Sequence, residues 1–368
     1  MALGMNNYKW HENVIFSSRD MDSFLGNYYN DKEKVILYIL GKGFDPRQNN
    51  GIAKLLRHNQ GASIECLIVD YKLERYPTYK RLIERNNEEL KRLLSDKIRI
   101  NNLQVDLLID YGLGIRNLNR YLQSLNIEKF TDIIVDISAM PKSIYFNIIN
   151  SLFFKINNNG INLFAMVSEN IEMDRAIQEK SLGEVGPMFG FSGKYGREAI
   201  IDPLIVSIPI MGESRFEALK KTNYEINAEA HCPILPFPSR DLRRSDNLLK
   251  EYHNLFDNIL RMSASDFSYV DERNPFELYI TICGLIDNYK KSLKPLDRDF
   301  IFGISLFASK LLSLGVLLVA LDEKKKSEIT IFNVNVDEYA INVDDKTFIS
   351  MNNNSELFMI WIDGDAYK

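Results

Sequence analysis

The chain has 368 residues, 45% hydrophobic and 26% charged, with a formal net charge of −5. That balance suits one large globular domain or two ordinary ones, and 11% aromatic residues with only 11 prolines exclude long disordered stretches. The acidic excess leaves no global basic field to recruit nucleic acid, so a contact of that kind needs a local patch.

NVIFSS, within an N-terminal segment over residues 1–30, reads as an edge strand. KVILYIL (residues 34–40) has the dense apolar pattern of a strand buried on both faces, and it ends in GKGFDPRQNNG. IAKLLRHN reads as a short helix, SIECLIVDY as a strand, and YPTYKRLIERNNEELKRLLSD as an amphipathic helix with a solvated, ion-paired face. IRINNLQVDLLI is a strand region, NLNRYLQSL a helix, TDIIVDIS a strand, KSIYFNIINSLFFKI a helix and INLFAMVSE a strand. This alternation predicts an α/β domain over residues 31–180, a parallel Rossmann-like sheet flanked by helices with right-handed crossovers.

The next segment, residues 181–200, carries Gly183, Gly186, Gly190, Gly193 and Gly196, and it reads as a mobile loop or a crossing between lobes. Residues 201–368 then form a second, more helical α/β lobe. IDPLIVSIPIMG is a strand and ESRFEALKKT a helix. HCPILPFPSRDLRRSDNLLKEYHNLFDNIL combines a strand, a basic turn and a helix, and NPFELYITICGLIDNYKKSL is a helix. A strand-helix-strand unit, DFIFGISLFASKLLSLGVLLVALDEKKKSEITIFNVN, follows. IIVDIS-AMPK-SIYFNIINSLFF and FIFGIS-LFASK-LLSLGVLLVAL share an Ile-Ser strand end, a few small residues and a Lys where the helix begins. Either two Rossmann-like halves are duplicated, or each stretch simply meets the demands of a β-α connection.

Cys66, Cys232 and Cys283 form an odd, sparse set in or near apolar runs, the pattern of reduced, buried thiols. The opening MALGMNNYKWHENVIF lacks the basic and apolar regions of a signal peptide. LLSLGVLLVAL falls short of the roughly 20 residues that cross a bilayer. A cytoplasmic protein without membrane contact is the expectation. The four histidines have no ligand spacing with the cysteines, so no metal site is expected. His231 and Cys232 are adjacent on a strand, so their side chains point to opposite faces and do not meet as a nucleophile pair.

Ligands of open α/β sheets collect beyond the carboxyl ends of the strands. In GKGFDPR, Gly41 and Gly43 let the backbone approach a ligand, Lys42 and Arg47 bring positive charge, and Asp45 either serves a ligand or pairs with Arg47. Neither a dinucleotide fingerprint nor a phosphate-binding P-loop is present. In DISAMPK, Asp136 and Ser138 end the strand, Pro141 fits the first helical turn, and Lys142 opposes the helix dipole unless an anion sits there. GISLFASK repeats this logic with Ser305 and Lys310 but lacks the acid, since Gly303 stands in place of Asp136. A fourth candidate is PFPSRDLRRSD, where Arg240, Arg243 and Arg244 form the densest arginine cluster, suited to phosphate or absorbed by Asp241 and Asp246.

KVILYILGKGFDPR and IIVDISAMPKSIYF, with FIFGISLFASKLLSLGVLL as a second half, resemble the Rossmann-like sensor domains of the CARF and SAVED kind in bacterial CRISPR and anti-phage systems. The motifs cover about a third of the chain and depart from those families in the Pro-Lys after DISAM. The resemblance implies binding of a cyclic or linear oligonucleotide messenger at the strand ends, with an effector as a separate protein partner. Three readings follow. The first is a sensor or defence-complex subunit that binds a nucleotide or oligonucleotide through Gly41, Lys42, Gly43, Arg47, Ser138, Lys142, Ser305 and Lys310. The second is a nucleotide-processing hydrolase with Asp136 or Asp45 as base or nucleophile. The third is an assembly protein, or homo-oligomer, whose turn at Arg240, Arg243 and Arg244 meets a protein partner or nucleic acid. No cofactor is specified.

Overall fold

A computed structural model describes residues 8–72, 79–94, 98–107, 110–156, 159–196, 202–293, 298–322 and 324–367. β1 (Ile15–Ser17) and α1 (Ser18–Tyr28) precede a first alternation of β2 (Val35–Lys42), α2 (Asn50–His58), β3 (Ser63–Lys72), α3 (Lys80–Leu93), β4 (Arg99–Asp106), α4 (Tyr111–Ser124), β5 (Asp132–Asp136), α5 (Lys142–Lys155) and β6 (Asn162–Glu169). A short α6 (Ile171–Ala176) and β7 (Ile177–Pro187) lead to the second: β8 (Leu204–Ile210), α7 (Phe216–Ile226), β9 (Ala230–His231), β10 (Ile234–Pro236), α8 (Arg244–His253), β11 (Ser268–Val270), α9 (Pro275–Leu293), β12 (Phe300–Leu306), α10 (Lys310–Leu321) and β13 (Ile329–Ile341). Then come α11 (Asp345–Met351) and β14 (Glu356–Asp363).

These elements form two units, one of residues 13–178 and 338–368, the other of residues 1–12 and 179–337. In the first, the strand order is β1-β14-β6-β5-β2-β3-β4. The strands β2 to β6 are all parallel, while β14 adds antiparallel to β6 and β1 antiparallel to β14. The chain lays β3 and β4 to one side of β2, then returns to lay β5 and β6 on the other. The order therefore reverses between β2 and β5.

The second unit has the order β11-β10-β8-β12-β13-β7, with β9 also beside β8. β8 is parallel to β10 and β12, β10 to β11, and β12 to β13. With β9 and β10 taken as one interrupted strand, this is the path of the first unit: β8 takes the part of β2, and β12 that of β5. Each unit is a doubly wound, mostly parallel α/β sheet flanked by helices. The two similar strand-helix stretches of the sequence, β5-α5 and β12-α10, occupy the same place in their respective sheets.

The reason is burial. β5 is buried at every residue, as a central parallel strand covered on both faces must be, so it reads as an unbroken apolar run. α10 is buried from Leu311 to Leu321, and a helix apolar all round has no face to give to water. In the first unit Tyr38, Cys66, Ile134, Phe164, Met166 and Trp361 meet in one core. In the second, Met211, Leu235, Leu248, Tyr252 and Phe256 do the same.

Three boundaries differ from the sequence expectation. Residues 338–368 belong to the first unit, because β14 pairs with β6. Residues 8–12 belong to the second, where Trp10 is fully buried edge-on to Tyr279 at 5.2 Å. The expected glycine loop begins with a strand: β7 takes the place beside β13, and positive φ angles appear only later, at Gly190, Gly193 and Gly196. Among the described residues no helix is long and apolar enough to cross a membrane.

Candidate ligand site where the strand order reverses

In the first unit the reversal lies between the carboxyl ends of β2 and β5, so GKGFDPR and DISAMPK flank one point, the place where such sheets receive ligands. The two loops touch. A Cβ at Gly41 would stand 2.6 Å from Met140 Cγ, and one at Gly43 would stand 2.7 Å from the Tyr71 hydroxyl. Tyr71, near the end of β3, donates its hydroxyl to the Ala139 carbonyl. The glycines thus provide room for side chains of this chain; neither has a positive φ.

The cations of the first loop meet carboxylates. Lys42 Nζ is 2.6 Å from Asp70, its register partner on β3, with both side chains about a third exposed. Arg47 is buried; its Nε donates to Asp45 Oδ1 at 3.0 Å and its Nη2 to Asp45 Oδ2 at 2.7 Å, with Asp174 at 2.8 Å. Burial works against the guanidinium charge, but the carboxylates of Asp174 and Asp45 outweigh it and hold its pKa well above the ordinary value. Asp45 also accepts from the Arg47 amide at 3.0 Å, capping a tight turn at Pro46–Asn49. Asn86 donates to the carbonyls of Gly43 and Phe44, at 3.1 and 2.9 Å. The loop's polar groups are therefore spent on its own shape, and Asp45 is engaged by Arg47 rather than set up as a base.

Asp136 is 1% exposed. Its Oδ2 accepts from the Tyr38 hydroxyl at 2.6 Å and its Oδ1 from the Ser138 amide at 2.9 Å. Burial first, and the Asp136 charge second, raise the Tyr38 phenol far above its usual pKa, so it stays a donor. Gly51, in the first turn of α2, lies against this pair; a Cβ there would overlap the Asp136 carboxylate and the Tyr38 hydroxyl. The helix start thus brings its positive end to a buried carboxylate. Ser138 is buried too, its Oγ accepting from the Ser168 amide at 2.9 Å. Asn50 donates to Ser168 Oγ at 2.8 Å and to Asn352 Oδ1 at 2.8 Å. Tyr38, Asn50, Ser168 and Asn352 in this polar seam, with Tyr71 and Asp70, are what sequence reasoning missed.

The start of α5 is different. Pro141 is the N-cap, one position earlier than expected, and Lys142 is the first helical residue. Proline offers no side-chain acceptor, and Pro141 makes no side-chain cap hydrogen bond. In the second unit Ser309 caps α10 by accepting from the Leu312 amide at 3.3 Å, and Lys310 follows it. Ser305 is 2% exposed, and its Oγ has no hydrogen-bond partner among the described residues.

The arginine turn does not form one basic surface. Arg244 is buried between Glu213 at 2.8 Å and Glu272 at 2.7 Å. Burial opposes its charge, and the two carboxylates more than offset that and raise its pKa. Arg240 and Arg243 are exposed, their amides donating to Glu272 at 2.6 Å and Asp241 at 3.0 Å.

Among the described residues no cluster of His, Cys, Asp or Glu could hold a metal ion. The Cys232 thiol is pushed up by burial and lies 3.2 Å from the Tyr289 hydroxyl, while burial pushes His231 below its ordinary 6.5. A histidine with a depressed folded pKa binds its proton more readily when unfolded, so stability falls as the pH drops below about 6.5. His231→Gln is expected to lose less stability than the parent between pH 7 and 5.5, measured by urea unfolding at each pH.

No family model and no curated protein matches the chain. Solved structures align over most of its length. The cytoplasmic domain of a prokaryotic cation chloride cotransporter is 12% identical with a TM-score of 0.23, covering 83% of this chain and 97% of its own. A candidate universal stress protein from Pseudomonas aeruginosa is 11% identical at TM-score 0.24, covering 87% and 96%. UDP-GlcNAc 2-epimerase from Methanocaldococcus jannaschii is 11% identical at 0.22, covering 87% and 99%. Similarity at this level carries no argument about ligand or activity. The chain's own sheets define it as an α/β protein of two Rossmann-like units.

Proposed function

We propose that the chain binds a phosphate-bearing ligand, a nucleotide or oligonucleotide, at the carboxyl ends of its strands, and acts with a protein partner or as a homo-oligomer in sensing. The observation that supports this is the start of α5: a helix end beside the reversal of strand order, whose N-cap residue Pro141 makes no side-chain cap and whose first turn carries Lys142. An anion there meets both the lysine charge and the positive end of the helix dipole. Such an anion gains about 0.3–1 kcal/mol from the dipole, up to about 2 when partly buried. The equivalent place in the second unit carries Lys310 and the unsatisfied Ser305 hydroxyl. Lys42 and Arg47, bound to carboxylates, do not carry the reading. A role in a bacterial anti-phage defence complex rests on the CARF- and SAVED-like motifs alone. Asp136 and Asp45, buried and bonded, give hydrolysis no accessible base.

The test is mass spectrometry of small molecules released from the purified protein, with a thermal-shift screen of nucleotides. A bound nucleotide at 100 times its Kd stabilises the native state by about 2.7 kcal/mol and is recovered intact. A chain that releases no phosphorylated compound, and that no nucleotide stabilises, does not have this function.

A further inference from the structure

The end of β3 grips the Gly41-Lys42-Gly43 turn with two consecutive side chains. Asp70 holds Lys42 at 2.6 Å. Tyr71 covers the glycines on either side of that lysine: its Cε1 stands 3.2 Å from a Cβ built at Gly41, and its hydroxyl 2.7 Å from one at Gly43. The same hydroxyl reaches across the reversal point to the Ala139 carbonyl, two residues before the N-cap of α5. Tyr71 is only partly buried, and beneath it Ala139 is 7% exposed. One phenol thus bridges the two loops that flank the reversal, over a backbone whose glycines leave it room.

We infer that Tyr71 is a movable plug, the gate of the ligand site proposed above, and the inference rests on that reading for its ligand. Entry of a nucleotide requires the hydroxyl to leave Ala139 and the ring to swing outward. Freed from the clamp, Lys42 can exchange Asp70 for a phosphate, since a part-exposed ion pair is held weakly. If the open form makes up on the order of 1–10% of the molecules, the closed form weakens apparent affinity about 10- to 100-fold. A buried structural tyrosine would have neither property.

The gate is tested without a ligand by introducing Ala139→Cys and measuring its reaction with a disulfide thiol reagent. The native thiols give little background: Cys66 is pushed up to about 12 by burial, and Cys232 and Cys283 are buried and raised as well. The introduced thiol is expected to react faster than global unfolding allows. Adding Tyr71→Ala should speed it at least tenfold, and Tyr71→Phe, which keeps the ring and serves if the alanine variant fails to fold, less. Reaction only at the global unfolding rate, both with Tyr71 in place and with Tyr71→Phe, overturns the gate. Equilibrium dialysis with ATP and a mixed-sequence tetraribonucleotide then separates the two ideas. Tighter binding by Tyr71→Ala supports the gate, and equal affinity in the two proteins overturns it while leaving the binding reading standing. Accelerated labelling with no binding by any variant supports a mobile plug and counts against the binding reading.

Discussion

Arg47→Met is expected to lower the unfolding free energy by about 3–5 kcal/mol, the usual cost of stranding one member of a buried ion pair. Arg47 and Asp45 are 4% and 8% exposed, and the guanidinium fork binds both carboxylate oxygens, the strong bidentate form of this interaction. Methionine fills much of the volume but leaves Asp45 with the amide of residue 47 as its remaining hydrogen bond of the pair. Asp174, at 42% exposure, can turn to water and contributes little. Urea unfolding measures the loss; a midpoint shift worth under 1 kcal/mol would show that the pair is already hydrated.

Gly51→Ala should cost about 2–4 kcal/mol. The new methyl would overlap the Asp136 carboxylate and the Tyr38 hydroxyl and stand 2.6 Å from Met166 Sδ. Overpacking of this kind costs about 1–3 kcal/mol. Forcing Tyr38 from Asp136 also loses a hydrogen bond to a charged group, about 1.5–3 kcal/mol. The two overlap in origin, so they do not sum fully. Alanine favours a helix over glycine by up to about 1 kcal/mol, which offsets part of the loss. Thermal unfolding is the measure, and a variant as stable as the parent would show that α2 shifts freely away from β5.

Local pattern carried much of the fold. KVILYIL, TDIIVDIS and INLFAMVSE are continuous apolar runs because their strands, β2, β5 and β6, are covered on both faces. LLSLGVLLVAL could only be core, and α10 is. What was illegible depends on distant pairing. The run ELFMIWID becomes β14 on the first sheet by pairing with β6 across the whole second unit. SLGEVGP becomes part of β7 only because β13 accepts it as a neighbour, and nothing local outweighs its glycines.

The meeting of the two loops was legible in the sequence; most of the partners of their charges were not. Glycines and a lysine at one strand end, and Asp-Ile-Ser at another, do converge at the reversal of strand order. The Asp45–Arg47 pair was one of the alternatives the sequence offered, but the sequence could not show that Asp70 claims Lys42 or that Asp174 joins Arg47, since those two lie on other elements. One signal was present: SIECLIVDY ends in Asp70-Tyr71, with Asp70 in register with Lys42, and opposite charges facing each other on neighbouring strands tend to pair.

Calorimetric titration of ATP and a tetraribonucleotide into the parent, Lys142→Glu and Lys42→Glu asks whether the start of α5 is where phosphate is held. Lys142→Glu places a negative charge in the first turn of α5 and should weaken binding at least tenfold, with Lys42→Glu, already facing Asp70, losing less. Binding that survives Lys142→Glu unchanged, or is absent from the parent, contradicts a phosphate site at that helix.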